Sequence, residues 1–223
     1  MRLTYFASRM LRTGMVVVCA LIITSCAEML DRTRRAHDFL TGRQSPIPPK
    51  DPIFGPGMKL YSPDETGWYR GPHDPIDFNL VKPGRVKGET FAFSTYALKL
   101  GPDEDRAKLI ANYRIKTNND ASTRFKNIKI DVNEYPEGPG GNCLLKHWIG
   151  EDHAPAGLEG KGPMSLEILD FICIHPRKKT TAAFLSYSQR YFPGGRDPLL
   201  TEKASACIQN LEFNEEWNPP RSR

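Results

Sequence analysis

Residues 90–98 read TFAFSTYAL, and their alternation decides the fold. Phe91, Phe93, Thr95 and Ala97 fall on one side of an extended chain, and Ala92, Ser94, Tyr96 and Leu98 on the other. A period of two is that of a strand, and apolar residues on both sides mean a strand buried on two faces. Upstream, Ile76–Val81 carries the same alternation. Downstream the pattern changes: Asp103, Glu104 and Asp105 load a first turn with acid, and Leu109, Ile110 and Tyr113 follow at helical spacing, which places a helix within Gly101–Asn118. Strand-like segments return at Arg124–Tyr135, Asn142–Gly150, Leu166–His175 and Thr181–Arg190, each bounded by Gly, Pro or Asn. Asp197 as N-cap with Pro198 in the first turn opens a closing helix through Leu199, Leu200, Ala204, Cys207, Ile208 and Leu211.

Consecutive strands with short connections call for an antiparallel sheet. The expected class is α+β, with about six strands and two helices packed on one face. The order of two strands, a helix, four strands and a closing helix resembles the PsbP family fold over Trp68–Phe213. The strand Ala183–Arg190, leading through Pro193-Gly194-Gly195 to an Asp-capped helix, is similar in style. That resemblance implies binding or assembly roles with little catalysis.

The N-terminus has the three parts of an export signal: a basic stretch Met1–Thr13, an apolar stretch Met15–Ile23, and the small residues Thr24-Ser25. Nine apolar residues are too few for a permanent span, which needs about 20. Ile23-Thr24-Ser25-Cys26 resembles the lipobox of bacterial lipoproteins, with Ile23 and Thr24 as variants of its commonest residues. The resemblance implies a signal peptide over 1–25, diacylglycerol on the Cys26 thiol, and further acylation, as with palmitate, of the new amine. An ordinary cut after Val18-Cys19-Ala20 would leave Cys26 a plain thiol. Two or three acyl chains make an effectively permanent anchor. Ala27, where an Asp would resemble an inner-membrane retention signal, points to the outer membrane, facing the periplasm. Arg32, Arg34 and Arg35 stand near the headgroups or in a solvated stretch. The prolines of Gln44–Gly57 exclude helix and central strand, so residues 26–57 are expected to form a lipidated tether with a stiff spacer of about 40 Å, and 58–223 a single domain.

Without residues 1–25 the chain has 28 basic and 26 acidic residues. That balance supplies no stripe for tracking phosphates, so nucleic acid is set aside as a partner. Of the cysteines left to the exported domain, Cys143 and Cys173 face each other if their strands fold about residue 158, and they are the preferred disulfide. Cys207 is a competing partner, and three thiols serving as small buried hydrophobes are the remaining alternative.

No residue stands out as catalytic, and neither a cofactor nor a metal is expected. His147, Glu151, Asp152 and His153 gather titratable groups but without a fixed ligand spacing. His175 precedes Pro176 and the basic run Arg177-Lys178-Lys179 at a hairpin tip, read as turn solvation first and as a contact for lipid headgroups or anionic glycan second. Ser186 and Ser188 lie within a strand, with no G-x-S-x-G, and Gly138-Pro139-Gly140-Gly141 is a hairpin turn without the lysine of a phosphate loop. Trp68, Tyr69, Trp148, Tyr187, Tyr191 and Phe192 suit a core or a pocket lining.

The expected function is that of a non-catalytic, membrane-anchored envelope lipoprotein binding an envelope protein partner or a small apolar ligand. A metal-dependent envelope enzyme using His147–His153 and a structural tether between membrane and cell wall are the alternatives. Mass spectrometry of the native polypeptide should find it starting at Cys26 and carrying diacylglycerol. An intact leader or an unmodified Cys26 would contradict this.

Overall fold

The computed structural model describes residues 45–55, 57–71, 78–101, 107–112, 124–153 and 162–214. They contain two antiparallel sheets. The larger has seven strands in the order β3-β4-β5-β9-β8-β7-β6: β3 (Tyr69–Arg70), β4 (Phe78–Pro83), β5 (Thr90–Lys99), β6 (Phe125–Tyr135), β7 (Cys143–Asp152), β8 (Met164–Ile174) and β9 (Thr181–Tyr191). The smaller, in the order β1-β2-β10, pairs β1 (Pro52–Gly55) and β10 (Glu212–Phe213) with β2 (Met58–Tyr61). Residues 107–112 form a helix, α1, and Leu200–Gln209 a second, α2. The class is α+β, with mainly antiparallel sheet.

The strand count is a correction: ten strands among the described residues rather than about six. The added ones, β1, β2, β3 and β10, have two to four residues each, too few to show a period. Opposite faces of the sheet carry different clusters, because successive side chains alternate. Leu169, Phe171 and Cys173 of β8, with Ala183, Leu185 and Tyr187 of β9, form the main core with Leu200, Ala204 and Ile208 of α2. Ile172 and Ile174 of β8, with Ala182 and Phe184 of β9, pack instead with Leu109 of α1. The two helices therefore cover opposite faces, not one. Strands apolar on both sides must be covered on both sides.

A second correction concerns the proline-rich stretch. The compact unit begins at Ser45, and residues 45–57 belong to it rather than to a spacer ending at Gly57. Ile47 bridges to Trp68, its amide donating to the Trp68 carbonyl at 2.7 Å. Ile53, Met58 and Leu60 are buried in the main core. Ser62 fastens the arm by donating to the Pro48 carbonyl and accepting from the Asp51 amide, both at 2.8 Å. Pro52 opens an edge strand, where a missing amide donor is tolerated. Residues 1–44, with Cys26, Arg32, Arg34 and Arg35, lie outside the described residues, as do Asp103, Glu104 and Asp105.

The β6–β7 turn is one tight 3-10 turn, Pro139–Gly141, with Gly140 and Gly141 at φ 69° and 65°, a conformation that favours glycine. A Cβ at Gly138 would collide with the Cys143 sulfur. That space matters because the β7–β8 register sets Cys143 opposite Cys173, and the two are joined as a disulfide. Cys207 is reduced and buried. Thiol titration of the mature, non-reduced chain under denaturant should count one free group, and three after reduction. Closing a loop of 30 residues stabilises the fold by about 3.5 kcal/mol on loop-entropy grounds. Cys173→Ala should lower stability by that order.

Candidate functional site

The loop between β2 and β3 brings Glu65 to the junction of sheet and helix. Glu65 Oε1 accepts from the Tyr187 hydroxyl at 3.1 Å, and Oε2 accepts from Lys82 Nζ at 2.6 Å and Lys203 Nζ at 3.1 Å. Lys203 of α2 also donates to Asp197 Oδ2 at 2.7 Å. Burial works against ionisation of Glu65, but the two lysines outweigh it and hold the carboxyl below its usual range. Burial, reinforced by Glu65, pushes the Tyr187 hydroxyl far upward. Tyr187 is thus a fixed neutral donor. Trp68 packs edge-on against its ring, centroids 5.7 Å apart.

Beside this junction is a cleft of about 220 Å³ between the 62–65 loop and α2, lined by Ser62, Asp64, Glu65, Lys203, Cys207 and Asn210 among others. Burial, with Glu65 adding to it, pushes the Cys207 thiol up to about 12. The thiol stays protonated at neutral pH and is no nucleophile. Pockets for drug-sized ligands run from about 300 Å³ upward, so the cleft takes only a small group. Its charged lining is matched internally: Lys203 pairs with Glu65 and Asp197, and Lys50 with Asp64 at 2.7 Å.

A second polar cluster lies on the same sheet face. Glu167 of β8 is fully buried, with Arg196 donating from Nε to Oε2 at 2.7 Å and from Nη2 to Oε1 at 2.8 Å. His147 Nε2 lies 2.8 Å from Oε1, and the Tyr191 hydroxyl donates to Oε2 at 3.3 Å. Burial opposes the charge of Glu167, but the hydrogen bonds and charges of His147 and Arg196 lower its pKa to about 2. Neighbouring Gln189 is buried too, accepting from the Asp197 amide and donating to the Gly195 carbonyl. The β9–α2 loop is thereby fastened to the sheet.

The four residues weighed as a metal site do not converge. His147 turns to Glu167 on the main-core face. Asp152 is fully buried and accepts from Nε and Nη2 of Arg124, both at 2.8 Å, with Arg190 at 3.2 Å. His153 pairs with Glu151 at 3.2 Å. Among the described residues no three His, Cys, Asp or Glu side chains are grouped to hold a metal. His175 is buried, its Nδ1 accepting from the Arg177 and Lys178 amides at 3.1 and 3.0 Å, so it shapes the hairpin tip. Trp68, Trp148, Tyr187 and Tyr191 are buried side chains of the core. Asp197 precedes the N-cap position, which Leu199 occupies. Its carboxylate accepts from the Leu199 amide at 2.9 Å, and α2 starts at Leu200.

Glu65, Glu167 and Arg196 were not singled out in the sequence. The two carboxylates within the apolar run of β8, Glu167 and Asp170, were a signal, since a buried charge must find a partner. No local pattern marks Glu65, whose partner Lys203 is 138 residues away.

No family model matches the chain, and no curated protein matches it. Among solved structures it is similar to the Ran-binding protein Mog1p of Saccharomyces cerevisiae, at 9% identity and a TM-score of 0.43, over 76% of this chain and 95% of that one. A mutant of Mog1 gives 9% identity and 0.42 over the same shares. Likeness at that level carries no argument about function.

Because the Glu167 carboxyl titrates lower in the folded state than its ordinary 4.5, its contribution is complete above that value and disappears as pH falls toward about 2. On the order of 3 kcal/mol is at stake. Urea denaturation across pH 5 to 2 should show this decline in the parent chain. In Glu167→Gln, less stable at neutral pH, the decline should be shallower.

Proposed function

We propose that this chain is a non-catalytic bacterial envelope lipoprotein, held in the outer membrane through acylated Cys26, whose α+β domain binds another envelope protein. The observation that carries the reading is the Cys143–Cys173 disulfide in a chain whose leader ends in Ile23-Thr24-Ser25-Cys26. Such a bond persists in oxidising compartments and is rare in the cytosol. The polar groups of the domain support binding rather than catalysis. Glu65, Asp152 and Glu167 are each neutralised by cations from other elements, and the Cys207 thiol is held protonated by burial. A protein partner is preferred to a small ligand because the cleft beside Glu65, at about 220 Å³, is smaller than a usual ligand pocket.

Crosslinking in intact cells, followed by purification through a C-terminal tag, tests the reading. A defined envelope protein should be captured in fixed ratio, and the capture should fall when Cys26→Ser prevents anchoring. Recovery of the chain from the cytosol with Cys143 and Cys173 both reduced, or no partner at any crosslinker length, would overturn it.

A further inference from the structure

The tip of the β1–β2 hairpin, sequence Phe54-Gly55-Pro56-Gly57-Met58, contains no charged residue. Phe54, at its base, is 75% exposed, the most exposed large apolar side chain among the described residues. Solvated phenylalanine is unfavourable, and strand pairing does not require it there, since Ile53 and Leu60 supply the buried side of this hairpin.

The surroundings of the tip add charge. The Asn214 amide donates to the Gly57 carbonyl at 2.8 Å. Phe213, next to it, pairs with Met58 and lies against His175, ring centroids 4.9 Å apart. His175 in turn holds the β8–β9 tip, where Arg177 and Lys179 are exposed. A chain of contacts thus joins an uncharged, phenylalanine-bearing tip to a basic tip of three consecutive cations, Arg177-Lys178-Lys179. Phe54 itself faces Lys59 across the hairpin, and Lys59 meets Glu212 at 3.5 Å, so ring and basic tip are joined through the hairpin rather than set against each other. An aromatic side chain and a basic cluster linked in this way suit the boundary of an anionic bilayer: the ring enters the acyl boundary and the cations remain among the headgroups. The anchor allows this approach. The 19 residues from Cys26 to Ser45 can span no more than about 65 Å, so the domain is confined near the membrane that holds the lipid.

We infer that the pole formed by the β1–β2 and β8–β9 tips lies on the anionic surface of the bilayer to which the chain is anchored, with Phe54 inserted at the acyl boundary. The inference rests on the lipid-anchor reading and adds an orientation to it.

The test uses the full mature chain carrying Phe54→Trp, as isolated from the cells that make it, reconstituted into vesicles of phosphatidylcholine with or without phosphatidylglycerol, each with plain or brominated acyl chains. The emission added by the new tryptophan should fall about twofold in brominated anionic vesicles, as for a ring seated at the acyl boundary. It should recover in neutral vesicles and when Arg177, Lys178 and Lys179 are all changed to Gln. Added emission equally bright with plain and brominated lipid would overturn the inference, as would quenching indifferent to anionic lipid and to the Gln changes. Flotation of the same samples separates the two readings. A chain that does not float with vesicles refutes the anchor, whereas one that floats without quenching refutes only the orientation.

Discussion

The apolar face of the seven-stranded sheet is wider than the helix that packs on it, and the rest of the structure answers to that constraint. Seven strands at their usual spacing extend about 30 Å across, whereas ten helical residues of α2 extend about 15 Å. One helix cannot keep water from Phe93, Leu169, Phe171, Leu185 and Tyr187 at once. The remainder of the cover is the N-terminal arm, with Ile47, Ile53, Met58, Leu60 and Trp68 buried in the same core. A segment rich in proline does this by keeping Pro52 on the edge strand β1, where a missing amide donor is tolerated, while the central strand β2 has no proline.

Glu65 is where arm, sheet and helix are made to agree. Its carboxylate accepts from Tyr187 of β9, Lys82 of β4 and Lys203 of α2. Removing a partner from such a junction leaves a partly buried charge behind. Farther along the same face, Arg196 and Glu167 fasten the β9–α2 loop, and the disulfide ties β7 to β8 at the opposite end of the strands. The ionisable groups of the domain are mostly occupied in holding elements together.

Much of the larger sheet was legible in the sequence because long strands carry a period. Thr90–Leu98, Arg124–Tyr135 and Thr181–Arg190 each differ from β5, β6 and β9 by a residue at one end or the other. The short strands were not legible, since two to four residues cannot establish alternation and prolines argue against strands away from edges. Which face each helix covers was misread for another reason. The apolar residues on both sides of TFAFSTYAL call for cover on both sides, although in β5 itself only Phe93 and Thr95, on one face, are fully buried; element order alone does not say which face a helix takes. The α2 helix starts at Leu200 rather than directly after Asp197, whose carboxylate accepts from the Leu199 amide and from Lys203. The candidate site was least legible. Glu65 gains its meaning only from cations contributed by β4 and α2, and no spacing rule reaches that far.

The central claim is that residues 45–61 are part of the fold rather than a spacer outside it, and amide hydrogen exchange on the mature chain tests it most directly. The amides of Ile47 and Ser62, bonded to the carbonyls of Trp68 and Asp51, and those paired between β1 and β2 should be protected together with β8. If they exchanged at the rate of an unstructured peptide while β8 stayed protected, the arm would not be the cover that the sheet requires.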